Sequence, residues 1–117
     1  MDHEPEIAFA TTSSPPPLEI RVNFGVFAGR AATPAEIDDL ARALLPEVGG
    51  VSIVAEERHE ISEGVEASLH QVRVEVGEEH LPSSPAELTE LADTLVSEAT
   101  RWARACVADR RVEVAEI

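Results

Sequence analysis

The sequence contains one helix start twice, as "TPAEIDDLARAL" at Thr33–Leu44 and as "SPAELTELADTL" at Ser84–Leu95. In each copy a hydroxyl residue at the N-cap precedes a proline at the first helical position, where no backbone N–H is missed. A glutamate follows three residues after the cap and can bond back to it, which completes a capping box. The two strings therefore predict two helices.

The similarity extends upstream of both helix starts. The segment "IRVNFG" at Ile20–Gly25 aligns with "VRVEVG" at Val72–Gly77, and each is a strand pattern that ends in glycine. Valine-rich segments follow the two helices, "GVSIVAEE" from Gly50 and "RVEVAEI" from Arg111. The chain thus predicts strand–helix–strand twice. Because neither half can cover its apolar strand face alone, the two halves should share one sheet.

This order of elements resembles the ferredoxin-like split βαβ arrangement. The resemblance implies an α+β fold, β-α-β-β-α-β, with a four-stranded antiparallel sheet and two helices on one face. We expect one such domain over residues 18–117. Residues 1–17 contain the run "SSPPP" and little apolar periodicity, so we expect them to be a flexible leader.

Two patterns set the expected strands. Apolar and polar residues alternate from Leu18 to Phe27, and this period of two indicates a strand with one buried face. The second and third strands meet at "SEGV", Ser62–Val65, where Glu63 and Gly64 form a two-residue turn. The resulting register puts the valine-rich positions on one side. It pairs Val51 with Val76, Ile53 with Val74, Ala55 with Val72 and Glu57 with His70.

Composition excludes several classes of function. Among 117 residues, 23 carboxylates face nine arginines and no lysine, for a net charge of −14. This field works against nucleic acid and against anionic membranes. No apolar stretch reaches the roughly 20 residues that span a bilayer, and the N-terminus lacks a signal-peptide pattern. The single Cys106 excludes an internal disulfide, so we expect a cytoplasmic protein, and arginine without lysine favours a bacterial source.

The expected topology brings the loop after strand one, the hairpin and the end of helix two to one end of the sheet. The candidate site residues at that end are Gly29, Arg30, Glu57, His59, His70 and Trp102. A carboxylate–imidazole pair, Glu57 with His70, beside an arginine has the groups of a general base with an anion anchor. Gly29 and Arg30 precede a helix N-terminus, which favours an anion, and Trp102 is a candidate ligand contact.

The same residues have simpler explanations. A hairpin that extends beyond the helix covering it carries polar residues on both faces, because both faces are in water. A glycine such as Gly29 is often present only because a tight loop needs its conformational freedom. Two histidines with Glu57 could hold a metal, but no HxH or HExxH spacing accompanies them. We therefore expect no resident cofactor and no metal.

Helix two supplies an argument for a partner. From Pro85 to Asp109 it would be roughly 37 Å long, so its apolar stripe, with Trp102 and Cys106, should overhang the shorter helix one. An exposed stripe of this kind would bind a partner, so we expect a homodimer through helix two or through the open sheet face. The alternatives are that the stripe packs under the hairpin and that the chain is a monomer.

These observations rank three functions. The leading hypothesis is a non-catalytic binding or assembly module that engages a protein or a small ligand at its hairpin end. The alternatives are a small enzyme or ligand sensor that uses the Glu/His pair with Arg30, and a metal-binding protein. Nucleic acid and membrane partners are not expected.

Overall fold

The computed structural model describes residues 7–12 and 17–116, with side chains as far as residue 108. Its elements are, in order, β1 (Ala8–Thr11), β2 (Leu18–Val22), α1 (Phe24–Ala28), α2 (Pro34–Val48), β3 (Ser52–Ser62), β4 (Val65–Val76), a single 3₁₀ turn (Glu78–His80) and α3 (Pro85–Glu116). These strands form one antiparallel sheet in the order β1-β2-β4-β3. The chain is an α+β protein, as expected. None of the helices in the described residues has the length and apolar character needed to cross a bilayer.

The predicted helix starts are confirmed. The Thr33 hydroxyl accepts a hydrogen bond from the Glu36 N–H at 3.2 Å, and the Glu36 carboxylate accepts one from the Thr33 N–H at 2.9 Å. At α3 the Ser84 hydroxyl accepts from the Glu87 N–H at 3.4 Å. Both helices therefore begin where the capping residues predict.

The predicted hairpin register is also confirmed. Glu63 and Gly64 form the turn, and Gly64 has a φ of 78°, a value that favours glycine. The register pairs Ile53 with Val74, Ala55 with Val72 and Glu57 with His70. The expected pair of Val51 with Val76 is missing, because the ladder begins at Ser52 opposite Glu75.

The predicted fourth strand is wrong. Residues 111–116 continue α3, so the ferredoxin-like β-α-β-β-α-β order is not confirmed. The physical reason is that no glycine or proline lies between Pro85 and Glu116 to end the helix. The valines of "RVEVAEI" alternate with arginine, glutamate and alanine, all of which are good helix formers.

The expected flexible leader needs a correction. Within residues 1–17, Ala8–Thr11 form β1, which pairs with β2 from Ala8 opposite Val22 to Thr11 opposite Glu19. Ala8 is buried in the core, so this segment belongs to the domain. A strand of four residues is too short for a period-two pattern to stand out. Residues 1–6 and 13–16, including most of "SSPPP", lie outside the described residues.

The predicted first strand is shorter than its alternation suggests. It ends at Val22, and α1 follows after Asn23, which leaves the side chains of Val26 and Phe27 exposed. Helix α1 packs closely against β4. A Cβ atom on Gly25 would lie only 2.7 Å from the backbone nitrogen of His70, which is too close for a side chain. The helix turn therefore occupies the place beside β4 where the strand was expected to continue.

We expect Gly25→Ala to lower the free energy of unfolding by about 2 kcal/mol, since the added methyl group forces α1 away from the β4 backbone. Urea denaturation followed by circular dichroism measures the loss. Val26→Ala is the matched control, because Val26 is exposed on the same helix and should change stability little. An equal effect of the two substitutions would contradict the close packing of α1 on β4.

One apolar core joins a single face of the sheet to α2 and α3. Its fully buried aliphatic side chains are Leu18, Ile20, Val22, Leu40, Leu44, Val72, Val74, Val76 and Leu95. Cross-strand pairing puts the strand members of this set on the same face. The opposite face carries charged residues, and the hairpin extends beyond the core at one end of the sheet.

Candidate functional site

A small pocket lies at the end of the sheet where the site was predicted. It has a volume of about 120 Å³ and lies between the α1–α2 loop and the base of the hairpin. Its walls include Phe24, Ala31, Ala32, Ala55, Glu57 and His70. Pockets for organic ligands usually enclose at least about 300 Å³, so this one has room for a few water molecules or a small ion.

The three residues proposed as catalytic lie on one face of the hairpin. Glu57 and His70 are cross-strand partners at the pocket. His59 lies nearer the tip, with its Nε2 at 3.8 Å from the Glu57 carboxylate and its Nδ1 at 3.1 Å from the Ser68 hydroxyl. Glu57 and His59 are both exposed to solvent. The structure thus brings the Glu/His group together in a wet setting that does little to strengthen electrostatic catalysis.

Arg30 is not directed toward the Glu/His group. Its guanidinium donates two hydrogen bonds of 2.7 Å to the Glu36 carboxylate, a bidentate ion pair. The same guanidinium lies over the ring of Phe24, with its central carbon 5.3 Å from the ring centroid. Arg30 therefore ties the α1–α2 loop to the first turn of α2, and its strongest donor geometry is already used within the chain.

Trp102 is buried, with 7 % of its surface exposed, and so is Cys106. The expectation that the overhang of α3 exposes Trp102 is therefore wrong. The indole N–H donates a 2.7 Å hydrogen bond to the Glu36 carbonyl, and the indole ring lies 5.2 Å from the Phe24 ring. Because α1 and α2 cover this part of the helix, Trp102 is a packing residue that joins three helices.

Glu36 is the centre of a partly buried group that includes Arg30 and Trp102. Sequence patterns indicated only its capping role. The pKa of Glu36 is lowered from 4.5 to about 2, and the largest cause is its hydrogen bond with the Arg30 guanidinium. Burial opposes this shift, while hydrogen bonds from the Thr33 backbone and from Cys106 add to it. No sequence signal links Arg30 to Glu36, because the pair forms across a loop rather than along one helix face.

Gly29 ends α1. It has a φ of 73°, and its N–H donates to the Gly25 carbonyl at 2.9 Å. This left-handed conformation explains the glycine as a helix cap. The predicted ligand-binding residues Gly29, Arg30 and Trp102 thus all have structural contacts of their own.

The open sheet face carries a compact charge network. Glu19 is buried on this face and accepts a 2.7 Å hydrogen bond from the Arg21 guanidinium. Arg73 belongs to β4 and lies on the same face. Its guanidinium nitrogens are 3.2 to 3.5 Å from the carboxylate oxygens of Glu19, Glu56 and Glu75. Ion pairs join these charges within the chain, while the buried Nε of Arg73 makes no hydrogen bond to the described residues.

Beyond the pair of Glu57 and His70, where Gly25 of α1 lies against the His70 backbone, the hairpin continues without cover from the described helices. We call residues 57–70 the arm. The side chains of Ile61 and Val65 near its tip are 72 % and 60 % exposed. The arm carries four glutamates against one arginine. It is therefore an acidic projection with two aliphatic side chains at its end.

Within the described residues, no group of three histidine, cysteine, aspartate or glutamate side chains is placed to hold a metal ion. Comparison with protein families, with curated proteins and with solved structures finds no match to this chain. The arm and the small pocket are accordingly assigned from their physical chemistry alone.

Proposed function

We propose that this protein is a non-catalytic binding and assembly module whose working part is the arm. The observation that carries the proposal is the exposure of Ile61 and Val65 at the end of a hairpin that the core does not cover. An isolated two-stranded hairpin is only marginally stable in water. A surface that receives the two aliphatic side chains would stabilise the arm and remove apolar area from water.

The charge of the arm defines the chemistry of its partner. Glu57, Glu60, Glu63 and Glu66 surround the two aliphatic side chains, and Arg58 is the single cation of the arm. Electrostatic complementarity favours a protein surface that is apolar at its centre and bordered by arginine or lysine. Because Ile61 and Val65 lie on opposite faces of the hairpin, such a surface would receive the tip of the arm end-on in a groove, with the glutamates at the rim.

Catalysis is the weaker alternative. Arg30 is bonded to Glu36, and the pocket beside Glu57 and His70 encloses only about 120 Å³. The exposed Glu57 and His59 lack the water-excluded environment in which a general base is usually tuned. These features support binding over chemistry at this end of the sheet.

A peptide probe tests the proposal. We expect an octapeptide of alternating lysine and leucine to shift the backbone amide NMR signals of the arm before those of the rest of the chain. The double substitution of Ile61→Ser with Val65→Ser should weaken this binding by about tenfold, because it removes apolar contact without changing charge. Titration followed by two-dimensional NMR measures both effects.

Two controls separate arm binding from simple charge attraction. A peptide of alternating glutamate and leucine should leave the arm signals in place. Leu45→Ser changes an exposed aliphatic residue on α2, and it should not alter the affinity for the lysine–leucine peptide. If the double substitution in the arm also had no effect, or if the shifts spread evenly over the acidic surface, the proposal would be wrong.

A further inference from the structure

An apolar groove lies between the residue before β1, helix α1 and helix α3. Its walls are Ile7, Phe27, Ala103, Val107 and Ala108, with Arg104 beside them, and its volume is about 290 Å³. Phe27 and Val26 of α1 are both exposed, so the apolar surface continues from the groove along α1.

The groove is bordered by cations in a chain of net charge −14. Arg104 lines it, and a shallow depression that contains Val96, Thr100 and Arg101 continues from Arg104 along α3. Both arginines are exposed; Arg104 lines the groove itself, and Arg101 donates a 3.1 Å hydrogen bond to the Glu98 carboxylate. An apolar centre with an arginine border is the chemistry that the arm requires.

The groove and the arm lie at the same end of the sheet. One row of cross-strand partners runs through Ala8, Val22, Val72 and Ala55. Beyond this row the arm continues from β3 and β4, while Ile7 of the groove adjoins β1, its carbonyl accepting from the Asn23 N–H at 2.8 Å. Helix α1 lies between the two, with Gly25 against His70 and Phe27 in the groove. A two-fold axis near α1 can therefore place the arm of each copy over the groove of the other.

We propose that the groove binds the arm of a second copy of this chain, and that reciprocal exchange of the two arms closes a two-fold dimer. This inference rests on the proposed binding function of the arm. The tip of the arm enters the groove of the other copy end-on, so that Ile61 and Val65, which lie on opposite faces of the hairpin, contact facing walls of the groove. The glutamates of the arm tip meet Arg104, and they meet Arg101 in addition to its own partner Glu98. The exchange forms the same contact twice, which helps a small arm to reach the roughly 1,200 Å² that a stable interface buries.

One other way to form a dimer is less favourable. Packing of two open sheet faces would bury the Glu19 network without offering it new partners. The arm has apolar side chains beside glutamates, and the groove has apolar walls beside an arginine. The two surfaces are therefore complementary in charge and in apolar character.

Charge reversal on the two surfaces tests the exchange. The arm variant carries Glu60→Arg and Glu63→Arg, and the groove variant carries Arg101→Glu and Arg104→Glu. Each variant alone should raise the dimer dissociation constant by at least about tenfold, because like charges then meet at both contacts. An equimolar mixture should form a heterodimer, since in the mixed pair every contact again joins opposite charges. Sedimentation velocity with one fluorescently labelled variant measures this restoration.

The control is Arg42→Glu, which makes one such arginine-to-glutamate change, half the charge change of the groove variant, at an exposed position on α2 and should leave the dimer intact. Circular dichroism verifies that each variant is folded. A wild-type chain that stays monomeric up to about 1 mM would overturn the exchange. The same is true of a dimer that neither variant weakens, or of a mixture that does not associate. If the chain is monomeric but the arm still binds the lysine–leucine peptide, only the second copy as partner is wrong and the binding function of the arm stands.

Discussion

Trp102→Ala should lower the free energy of unfolding by about 4 kcal/mol, the largest effect that we expect from a single substitution in this chain. The indole is buried against the Phe24 ring and bonded to the Glu36 carbonyl, so its removal leaves a cavity where α1, α2 and α3 meet. Urea denaturation followed by far-ultraviolet circular dichroism measures the loss. Fluorescence would not serve for the variant, because Trp102 is the only tryptophan of the chain.

The conservative variant Trp102→Phe separates packing from hydrogen bonding. It keeps an aromatic ring against Phe24 but loses the N–H donor and part of the ring volume. The lost hydrogen bond should lower the free energy of unfolding by about 1 kcal/mol, and the lost volume should add a modest further decrease. A loss below about 2 kcal/mol for Trp102→Ala would contradict the burial of the indole. It would support instead the exposed, overhanging tryptophan that the length of helix two predicts.

Glu36→Gln should lower the free energy of unfolding by about 2 kcal/mol at neutral pH, after solvent screening of this partly exposed pair, and this difference should vanish in acid. The pKa of Glu36 is held at about 2 in the folded chain, below its ordinary value of 4.5, chiefly by the bidentate Arg30. A lowered folded pKa means that the carboxylate stabilises the fold fully above pH 4.5. That contribution is lost as the pH falls toward 2.

Denaturation of the wild type and of Glu36→Gln, repeated across this pH range, measures the effect as the difference between two stability curves. The difference removes the contributions that all other carboxylates make to both proteins. Glu47→Gln is the matched control, since it makes the same change at an exposed position on α2, and its curve should follow that of the wild type. Curves for wild type and Glu36→Gln that stay parallel down to pH 2 would exclude the Arg30–Glu36 pair as a source of stability.

Local patterns predicted a large part of the fold. The capping boxes at Thr33 and Ser84 fixed both helix starts, because the bonds that they describe form within four residues. The turn at Glu63 and Gly64 fixed the register of the hairpin, because a two-residue loop leaves only one way to align its strands. Each of these features depends on neighbours in the chain, which a sequence displays directly.

The errors occurred where a distant contact decides the structure. Alternation through Phe27 indicates a strand, yet the packing of Gly25 on the β4 backbone turns this segment into a helix. The segment Ala8–Thr11 gains its strand only by pairing with β2. The valine-rich segment from Arg111 resembles a strand, but it follows a helix that nothing in its sequence ends.

The candidate site divides in the same way. The pairing of Glu57 with His70 followed from the hairpin register and was predicted correctly. The partners of Arg30 and Trp102 were not, because both contacts meet at Glu36 across a loop and across 66 positions of sequence. A glutamate that closes a capping box gives no sign that it also binds an arginine and receives a thiol hydrogen bond.

The position of β3 at the margin of the sheet has a further consequence for the solution behaviour of the chain. In the part of the chain that the structure describes, no strand pairs with the outer side of the eleven residues of β3, and a line of unpaired backbone N–H and C=O groups can template cross-β aggregation. Glu56, Glu57 and Glu60 place negative charge along that margin in every molecule, so that two of them repel when they approach side by side. We therefore expect the acidity of this strand to oppose fibril formation, and we expect replacement of these carboxylates with neutral amides to promote it.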